Sequence, residues 1–295
     1  CLGTGRSMLL QQIVNGLTQG SLYALVAIGF VIVFGTMNLV TFAHGEVYMI
    51  GAFVGYFVMS VWGLPWPVAL VLAMAAGWIL GVLTEKVAFR PMRTVGHMPP
   101  LLITIGLSII MKEAVMITLG AENRPVPSIY EQTIQVGGSQ ISLLQVVILG
   151  IVVALIVGLQ LLIQGTKIGR AMRATAQDHE AAYAMGVNAD RVFNIAFALA
   201  SLLGGAAGVL VGIYYNAVSA TMGGMAGLKG FAACIFGGLT SIPGAILGAL
   251  IIGVTENLTV QYLASGYRDI IGFLVMVVVL IVRPQGLLGS KMRVV

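Results

Sequence analysis

Long runs of apolar residues, separated by short polar stretches, make up most of the chain. Each run approaches the roughly 20 residues that a helix needs to cross a bilayer. Polar and apolar residues do not alternate within the runs, as they would in the strands of a membrane β-barrel. The pattern predicts seven spanning helices, at residues 11–34, 39–61, 66–84, 99–119, 142–163, 191–215 and 268–284.

A further apolar tract, residues 227–263, is too long for one span. It is interrupted at Thr240–Gly244, where the letters TSIPG combine proline and glycine, which break regular structure. We therefore expect a short half-helix followed by a full helix. The predicted fold class is all-α, a polytopic bundle of eight or nine membrane segments in one transmembrane domain, residues 8–295. Residues 1–7, ahead of Met8, are interpreted as a remnant of cloning.

The composition supports a location within membrane lipid. Hydrophobic residues make up 59% of the chain and charged residues only 8%, whereas soluble domains carry about 25% charged residues. The 39 glycines suit helix packing in membranes, where small residues let backbones approach closely. Repeats at four-residue spacing predict such contacts for Gly51 and Gly55, Gly77 and Gly81, Gly204, Gly208 and Gly212, and Gly244 and Gly248.

Lysine and arginine predict the orientation, because they are enriched in cytoplasmic loops. Ten of the fifteen basic residues fall in three segments that we place in the cytoplasm: Lys86, Arg90, Arg93, Lys167, Arg170, Arg173, Arg191, Arg283, Lys291 and Arg293. The C-terminus is then cytoplasmic. Arg124, Lys229 and Arg268 are assigned to the other side. The net charge of +5 is spread over loops and does not indicate a nucleic-acid partner.

Several kinds of chemistry have no counterpart in the sequence. The chain contains no glycine-rich phosphate-binding loop, no paired acids and no serine–histidine–aspartate arrangement. Its three isolated histidines and two cysteines do not predict a metal site. We therefore expect no catalytic residues, no cofactor and no enzymatic activity, so that any energy for transport must come from another chain.

A few polar residues fall inside the predicted spans. His44 and Glu46 lie in or at the edge of the second span, and Glu256 with Asn257 lies late in the interrupted tract. Ionisable groups cost several kcal/mol in lipid and usually face protein or water. These four residues are candidates for a translocation path. The alternative is that they form hydrogen-bonded nodes of helix packing.

A polar segment, RAMRATAQDHEAAYAMGVNADRVFN (Arg170–Asn194), separates two apolar spans within a cytoplasmic loop at residues 164–191. Asp178 is a good N-cap, and Gly186 is a typical residue for ending a helix. The segment therefore predicts one short helix between them. Its alanines leave a shallow surface that a partner could grip, although a helix that lies on the membrane is equally consistent with the pattern.

The sequence resembles a known family at several places. Glu180, Ala181, Ala182 and Gly186 look like the EAA loop of bacterial ABC importer permeases. NGLTQGSLYALVAIGFVIVFGTMNLVTFAHGEVYMIGAF, GRAMRATAQDHEAAYAMGVNADRV, GMAGLKGFAACIFGGLTSIPGAILGALIIGVTEN and RPQGLLG resemble the branched-chain amino acid permease subunit of the LivH type. The resemblance covers residues 9–289. It implies that these four EAA residues belong to a coupling helix, the element that docks into an ATP-binding subunit.

The resemblance also implies partners, a location and a substrate class. A second permease subunit, two ATP-binding subunits and a periplasmic or extracellular solute-binding protein would complete a transporter in the bacterial inner membrane. Branched-chain amino acids are the expected solutes. Urea or a broader set of neutral amino acids is the alternative within the family. An ion-coupled secondary transporter or a small-solute channel is the alternative outside it.

Overall fold

The computed structural model of the protein describes residues 2–92, 98–130, 132–136, 139–263, 265–283 and 285–289. Four residues used in the sequence predictions, Cys1, Arg93, Lys291 and Arg293, lie outside these ranges. The described part of the chain is predominantly helical. Its α-helices are α1 (Leu2–Met37), α2 (His44–Tyr56), α3 (Trp66–Thr84), α4 (Met98–Leu119), α5 (Leu143–Gly165), α6 (Lys167–Gln177), α7 (His179–Ala184), α8 (Ala189–Tyr215), α9 (Met222–Gly237), α10 (Ile242–Tyr262) and α11 (Arg268–Val282).

Short strands join loops at one end of the helix bundle. They are β1 (Arg124–Pro125), β2 (Thr133–Val136), β3 (Ser139–Ser142) and β4 (Ala217–Val218). β2 and β3 form an antiparallel hairpin, and β1 pairs antiparallel with β4. We call this the hairpin end of the bundle, and the opposite end, which carries the short helix α7, the α7 end.

Six helices in the described part of the chain are long and apolar enough to cross a membrane: Met8–Met37, Trp66–Phe89, Pro99–Leu119, Leu143–Gly165, Ala189–Tyr215 and Ile242–Tyr262. These confirm six of the predicted segments. α2, α9 and α11 have 13, 16 and 15 residues. The predicted total of eight or nine segments is therefore not confirmed by helix length.

The second predicted span differs most from the structure. It was expected at residues 39–61, but α2 begins at His44 and continues into a π-helical turn at Phe57–Val61. The preceding residues run into the bundle without regular structure. The amide of Phe42 donates to Thr104 Oγ1 at 3.4 Å, and its ring packs against Phe231. Irregular backbone at membrane depth is tolerated where protein surrounds it in this way.

The bundle has a central layer and a periphery. In the most apolar stretches of α1 and α8, 78% and 89% of residues are buried, whereas the corresponding shares for α4 and α5 are 6% and 17%. α1 packs mainly on α10 and α8, and α8 also packs on α2 and α3. The buried helices therefore position the interior polar groups, and the peripheral ones present their apolar side chains outward.

Glycines make the central contacts, as the four-residue repeats predicted. A Cβ added to Gly208 would overlap the carbonyl oxygen of Tyr48, so α8 and α2 touch through their backbones. Gly77 meets the backbone of Ser201 in the same way, joining α3 to α8. These approaches leave no room for a side chain and explain why small residues recur there.

The long apolar tract breaks where the sequence predicted. α9 ends at Gly237 and α10 begins at Ile242, with the Ser241 hydroxyl accepting a bond from the Gly244 amide at 3.2 Å. A segment near the C-terminus covers the end of α9. The amides of Leu287 and Leu288 donate to the carbonyls of Phe236 and Gly237 at 2.9 and 3.0 Å. The carbonyl groups at the end of this helix, which have no partner within the helix, are thereby satisfied inside the bundle.

Candidate functional site

The short helix α7 is defined by caps at both ends. The Asp178 side chain accepts a hydrogen bond from the Ala181 amide at 2.9 Å, which confirms the predicted N-cap. Gly186 has φ +83°, a left-handed conformation that glycine adopts without strain, and it ends the helix as predicted. Asn188 then caps α8 by accepting from the Arg191 amide at 3.1 Å. α7 is therefore a discrete element held between two turns.

Helix α6 precedes α7 and was not predicted as a separate element. The sequence predicted one helix in the polar segment, but Lys167–Gln177 forms another, capped by the Thr166 side chain. Met172 of α6 is buried against the core, and the guanidinium of Arg173 donates to the carbonyl oxygen of Ile163 in α5. Because α6 is anchored in this way, α7 projects from a fixed support.

The four predicted coupling residues do not all lie on the same surface. Glu180, Ala181 and Gly186 are exposed, whereas Ala182 is buried, 6% exposed, and turns toward the bundle. Two large side chains that the sequence did not single out dominate the exposed surface. Tyr183 is 74% exposed and Met185 is 84% exposed. α7 and its C-cap residue Met185 thus present an aromatic ring and a flexible apolar side chain to their surroundings.

A second site lies inside the bundle and is centred on Glu256. Its carboxylate is 1% exposed. Glu256 Oε2 accepts hydrogen bonds from Gln19 Nε2 and from the Tyr23 hydroxyl, both at 3.1 Å. The Arg268 Nε lies 3.1 Å from the same oxygen, and the Lys229 ammonium lies 2.9 Å from Oε1. We call these five residues, together with Asp269, the ion-pair cluster.

Lys229 links the buried carboxylate of Glu256 to Asp269, which is partly exposed. Its ammonium also lies 2.7 Å from Asp269 Oδ1 and donates to the Tyr23 hydroxyl at 3.3 Å. The Lys229 side chain is 10% exposed, whereas that of Asp269 is 45% exposed. Two positive and two negative charges therefore lie together at the junction of α1, α9, α10 and α11. Mutual pairing is what makes charges tolerable at such a depth.

Asn257 extends the polar contacts along α10. Its side-chain nitrogen donates to Gln19 Oε1 at 2.9 Å and to the Gly253 carbonyl at 2.9 Å. Gln19 therefore bridges Asn257 and Glu256. Glu256 and Asn257, the two path residues predicted in this tract, therefore belong to one hydrogen-bond network. Their adjacency in the sequence did not by itself predict this.

A cavity of about 260 Å³ opens beside the ion-pair cluster at the hairpin end. The polar part of its wall includes Gln19, Tyr23, Tyr48, Asn123 and Lys229. The apolar part is formed by Leu22, Val211, Met222, Met225 and Ala226. Such a combination, a largely apolar lining with a few polar groups, is typical of small-molecule sites.

Two neighbouring cavities, which we call together the cavity at the α7 end, lie between α5, α6 and the break that separates α9 from α10. Both are lined by Ile163, Arg173, Thr240 and Ile242. Buried side chains of α1, among them Leu25 and Ile28, belong to the core cluster of the bundle.

The other two predicted path residues lie away from the ion-pair cluster. His44 packs its ring edge-on against Phe30, with centroids 5.0 Å apart, and fills the space left by Gly29. Glu46 is 2% exposed, and its Oε1 accepts a hydrogen bond from Ser108 at 3.1 Å. Neither is among the residues that line the hairpin-end cavity. They lie between α1, α2 and α4, with His44 Nε2 and Glu46 Oε2 buried without a hydrogen-bond partner in the described part of the chain. Their place in a translocation path stays a prediction.

Five residues of the ion-pair cluster were missed as site candidates, the charged Lys229, Arg268 and Asp269 and the uncharged Gln19 and Tyr23. Lys229 and Arg268 were counted only as charges on the non-cytoplasmic side, and Asp269 was not considered. The available signal was the position of Lys229 within the apolar run GLKGFAA, because a charge inside such a run requires a partner.

Comparison with known proteins decides the family. The family described as branched-chain amino acid transport system / permease component matches residues 12–280. The chain is 38% identical to the high-affinity branched-chain amino acid transport system permease protein LivH of Salmonella typhimurium, covering 95% of both chains. It belongs to this permease family.

Other relatives agree with that assignment. The chain is 36% identical to the permease protein BraD of Pseudomonas aeruginosa, again over 95% of both chains. It is 28% identical to the probable LivH permease of Methanocaldococcus jannaschii, over 97% of this chain and 93% of the relative. The chain is thus a multi-pass membrane permease, as the sequence predicted, and the ion-coupled transporter and channel alternatives are not favoured.

Proposed function

We propose that this permease translocates branched-chain amino acids as one subunit of an ATP-driven ABC importer. Its relatives are permease proteins of high-affinity branched-chain amino acid transport systems. The observation that carries the proposal is α7, a capped helix with a projecting apolar surface at one end of a membrane bundle. Two ATP-binding subunits, a second permease subunit and an external solute-binding protein would complete the transporter.

Nine membrane segments are consistent with this proposal. They are the six long helices together with the shorter α2 and its π-helical extension, α9 and α11. If the α7 end faces the cytoplasm, Lys86 and Arg90 lie there with the basic residues of α6, in agreement with the enrichment of positive charge inside. The C-terminus is then cytoplasmic in the bacterial inner membrane, and the hairpin end receives the solute.

Coupling would operate through α7 and its support. ATP binding would close the dimer of ATP-binding subunits. α7, docked in a groove of one of these subunits, would move with it. α6, anchored to α5, would pass that displacement to the helices around the α9–α10 break. Access would then alternate between the cavity at the hairpin end and the cavity at the α7 end, with each state favoured by a different ligand. Glu256 and Asn257 belong to the path in this proposal.

Removing the two large exposed side chains of α7 and its C-cap tests the coupling proposal. The double substitution Tyr183→Ala with Met185→Ala should lower ATP-dependent leucine uptake by about tenfold or more, because large buried side chains dominate interface energies. Co-purification of the ATP-binding subunits with the permease should fall in parallel. Uptake is measured in proteoliposomes that contain the assembled transporter.

Ile117→Ala is a matched control for this variant. Ile117 is 83% exposed, comparable to Met185, but it lies on α4 near the hairpin end. Its removal should leave uptake and co-purification unchanged. Wild-type uptake and full co-purification in the α7 double variant would contradict the coupling role.

A further inference from the structure

We propose that Lys229 binds the carboxylate of the transported amino acid in the hairpin-end cavity, and that Asp269 occupies this position until the solute arrives. The inference rests on the proposed function and adds a chemical requirement to it. The solute must carry a carboxylate and an apolar side chain. Solutes without a carboxylate, such as urea or amino acid amides, do not meet that requirement.

The position of Lys229 is the first support. Among the residues that line the cavity, it is the one with a charged side chain. Its ammonium therefore sets the sign of the charge that the cavity can accept. The three donors of the ammonium are directed at Glu256, Asp269 and the Tyr23 hydroxyl.

The two acidic partners of Lys229 differ in how firmly they are held. Glu256 is 1% exposed and is also bound by Arg268, Gln19 and Tyr23. The Asp269 side chain is 45% exposed and, in the described part of the chain, makes its ion pair with Lys229. Pairs with an exposed partner contribute little to stability. Asp269 can therefore leave, whereas Glu256 remains and keeps Lys229 in place.

Charge balance makes the exchange selective. With Asp269 in place, the cluster holds two cations and two anions. When Asp269 turns into solvent, the cluster carries one uncompensated positive charge, and a solute carboxylate restores the balance. An amide or urea supplies no negative charge and would leave a cation unpaired beside the membrane interior, which is costly.

The rest of the cavity fits an aliphatic amino acid. Leu22, Val211 and Met222 are apolar residues of the cavity lining, suited to a branched hydrocarbon side chain. Tyr48 and Asn123 also line the cavity, and their side-chain oxygens are of the type that accepts hydrogen bonds from a solute ammonium. The cavity lining thus contains a possible partner for the carboxylate, the ammonium and the hydrocarbon side chain of the solute.

The inference is tested on the assembled transporter without its binding protein, so that the permease alone determines selectivity. One accessible cysteine, Ser219→Cys, is introduced into the lining of the cavity that Lys229 also lines. The background is Cys1→Ser, and the native Cys234 is buried. The measured quantity is the rate at which a maleimide labels the introduced cysteine. L-leucine should slow labelling, whereas L-leucinamide and urea at equal concentration should not.

Variants at the two charges give opposite expectations. Lys229→Gln should abolish protection by leucine and lower ATP-dependent leucine uptake about tenfold or more, as expected for losing a charged hydrogen bond. Lys229→Arg should restore most of both. Asp269→Asn removes the competing carboxylate, so leucine should protect at about a threefold lower concentration, a shift within the energy of an exposed ion pair.

Several outcomes would overturn the inference. They are equal protection by leucinamide, no protection by leucine in the wild-type cluster, and a loss of protection in Asp269→Asn that matches Lys229→Gln. The last result would mean that the two side chains only lock the helices together. If carboxylate-dependent protection is found but the complete wild-type transporter takes up no leucine with ATP, the proposed importer function fails while the site stands.

Discussion

Glu256→Gln should lower the free energy of unfolding of the permease by about 3 kcal/mol, because it removes the negative charge that pairs with Lys229 and Arg268 inside the bundle. Breaking a buried ion pair leaves the remaining charges uncompensated, and here one carboxylate holds two cations together with Gln19 and Tyr23. The amide of glutamine can accept some of these hydrogen bonds but cannot balance either charge. Thermal unfolding in detergent measures the loss, and leucine uptake should fall with it.

Glu113→Gln is the matched control for this substitution. Glu113 also lies on a membrane helix, but its side chain is 49% exposed and lies 3.6 Å from that of Lys112. Exposed pairs contribute between nothing and about 1 kcal/mol, so the unfolding midpoint should hardly change. Equal midpoints for Glu256→Gln and Glu113→Gln would show that Glu256 does not hold the four helices together.

This expectation differs from the one that the sequence alone supports. In the sequence, Glu256 is a single acid in an apolar tract, consistent either with a translocation path or with a hydrogen-bonded node of helix packing, and no partner for its charge is evident. The structure places its partners 237, 233 and 27 positions earlier, at Gln19, Tyr23 and Lys229, and 12 positions later, at Arg268. Helical periodicity gives no information on such distant contacts, since they depend on which helices become neighbours. Hydropathy therefore identified the residue whose charge needs explaining, but not the cations that explain it.

Counting basic residues also concealed part of the site. Lys229 was assigned to the non-cytoplasmic side when the basic residues on the two sides of the membrane were compared. α9 instead carries Lys229 into the bundle, where it is 8% exposed. His44 and Glu46 are buried and contact Phe30 and Ser108, away from the hairpin-end cavity. Their part in the translocation path therefore stays a prediction.

Both ends of α7 could be predicted from the sequence because the residues that define them are close to it in the chain. Asp178 and Gly186 lie within one turn of the helix ends that they define, so sequence spacing was sufficient to place both. Which side of the helix faces outward was not local information. Ala182 is turned inward, and its carbonyl accepts a hydrogen bond from the Val187 amide at 3.0 Å. The exposure of Tyr183 and Met185 follows from that orientation.

Gly208→Ala should also destabilise the permease strongly, by about 3 kcal/mol, the upper part of the range for overpacked cores. The added methyl group would overlap the carbonyl oxygen of Tyr48 and lie 2.7 Å from the amide nitrogen of Ala52. Both obstacles are backbone atoms, so no side-chain rotation relieves the overlap. α2 must move away from α8, and the nearby contact between Gly51 and Gly205 must loosen with it.

Gly158→Ala provides the comparison that separates this steric effect from the general preference of helices for alanine. Gly158 lies on the peripheral helix α5, and a Cβ there would meet no atom within 4 Å. Alanine favours a helix over glycine by up to about 1 kcal/mol, so the unfolding midpoint should stay the same or rise. Gly208→Ala should lower it by roughly 5 °C or more. Because Tyr48 lines the hairpin-end cavity, a displaced α2 should also reduce leucine uptake. If both variants unfold at the wild-type temperature, α2 and α8 are not in backbone contact in the assembled protein.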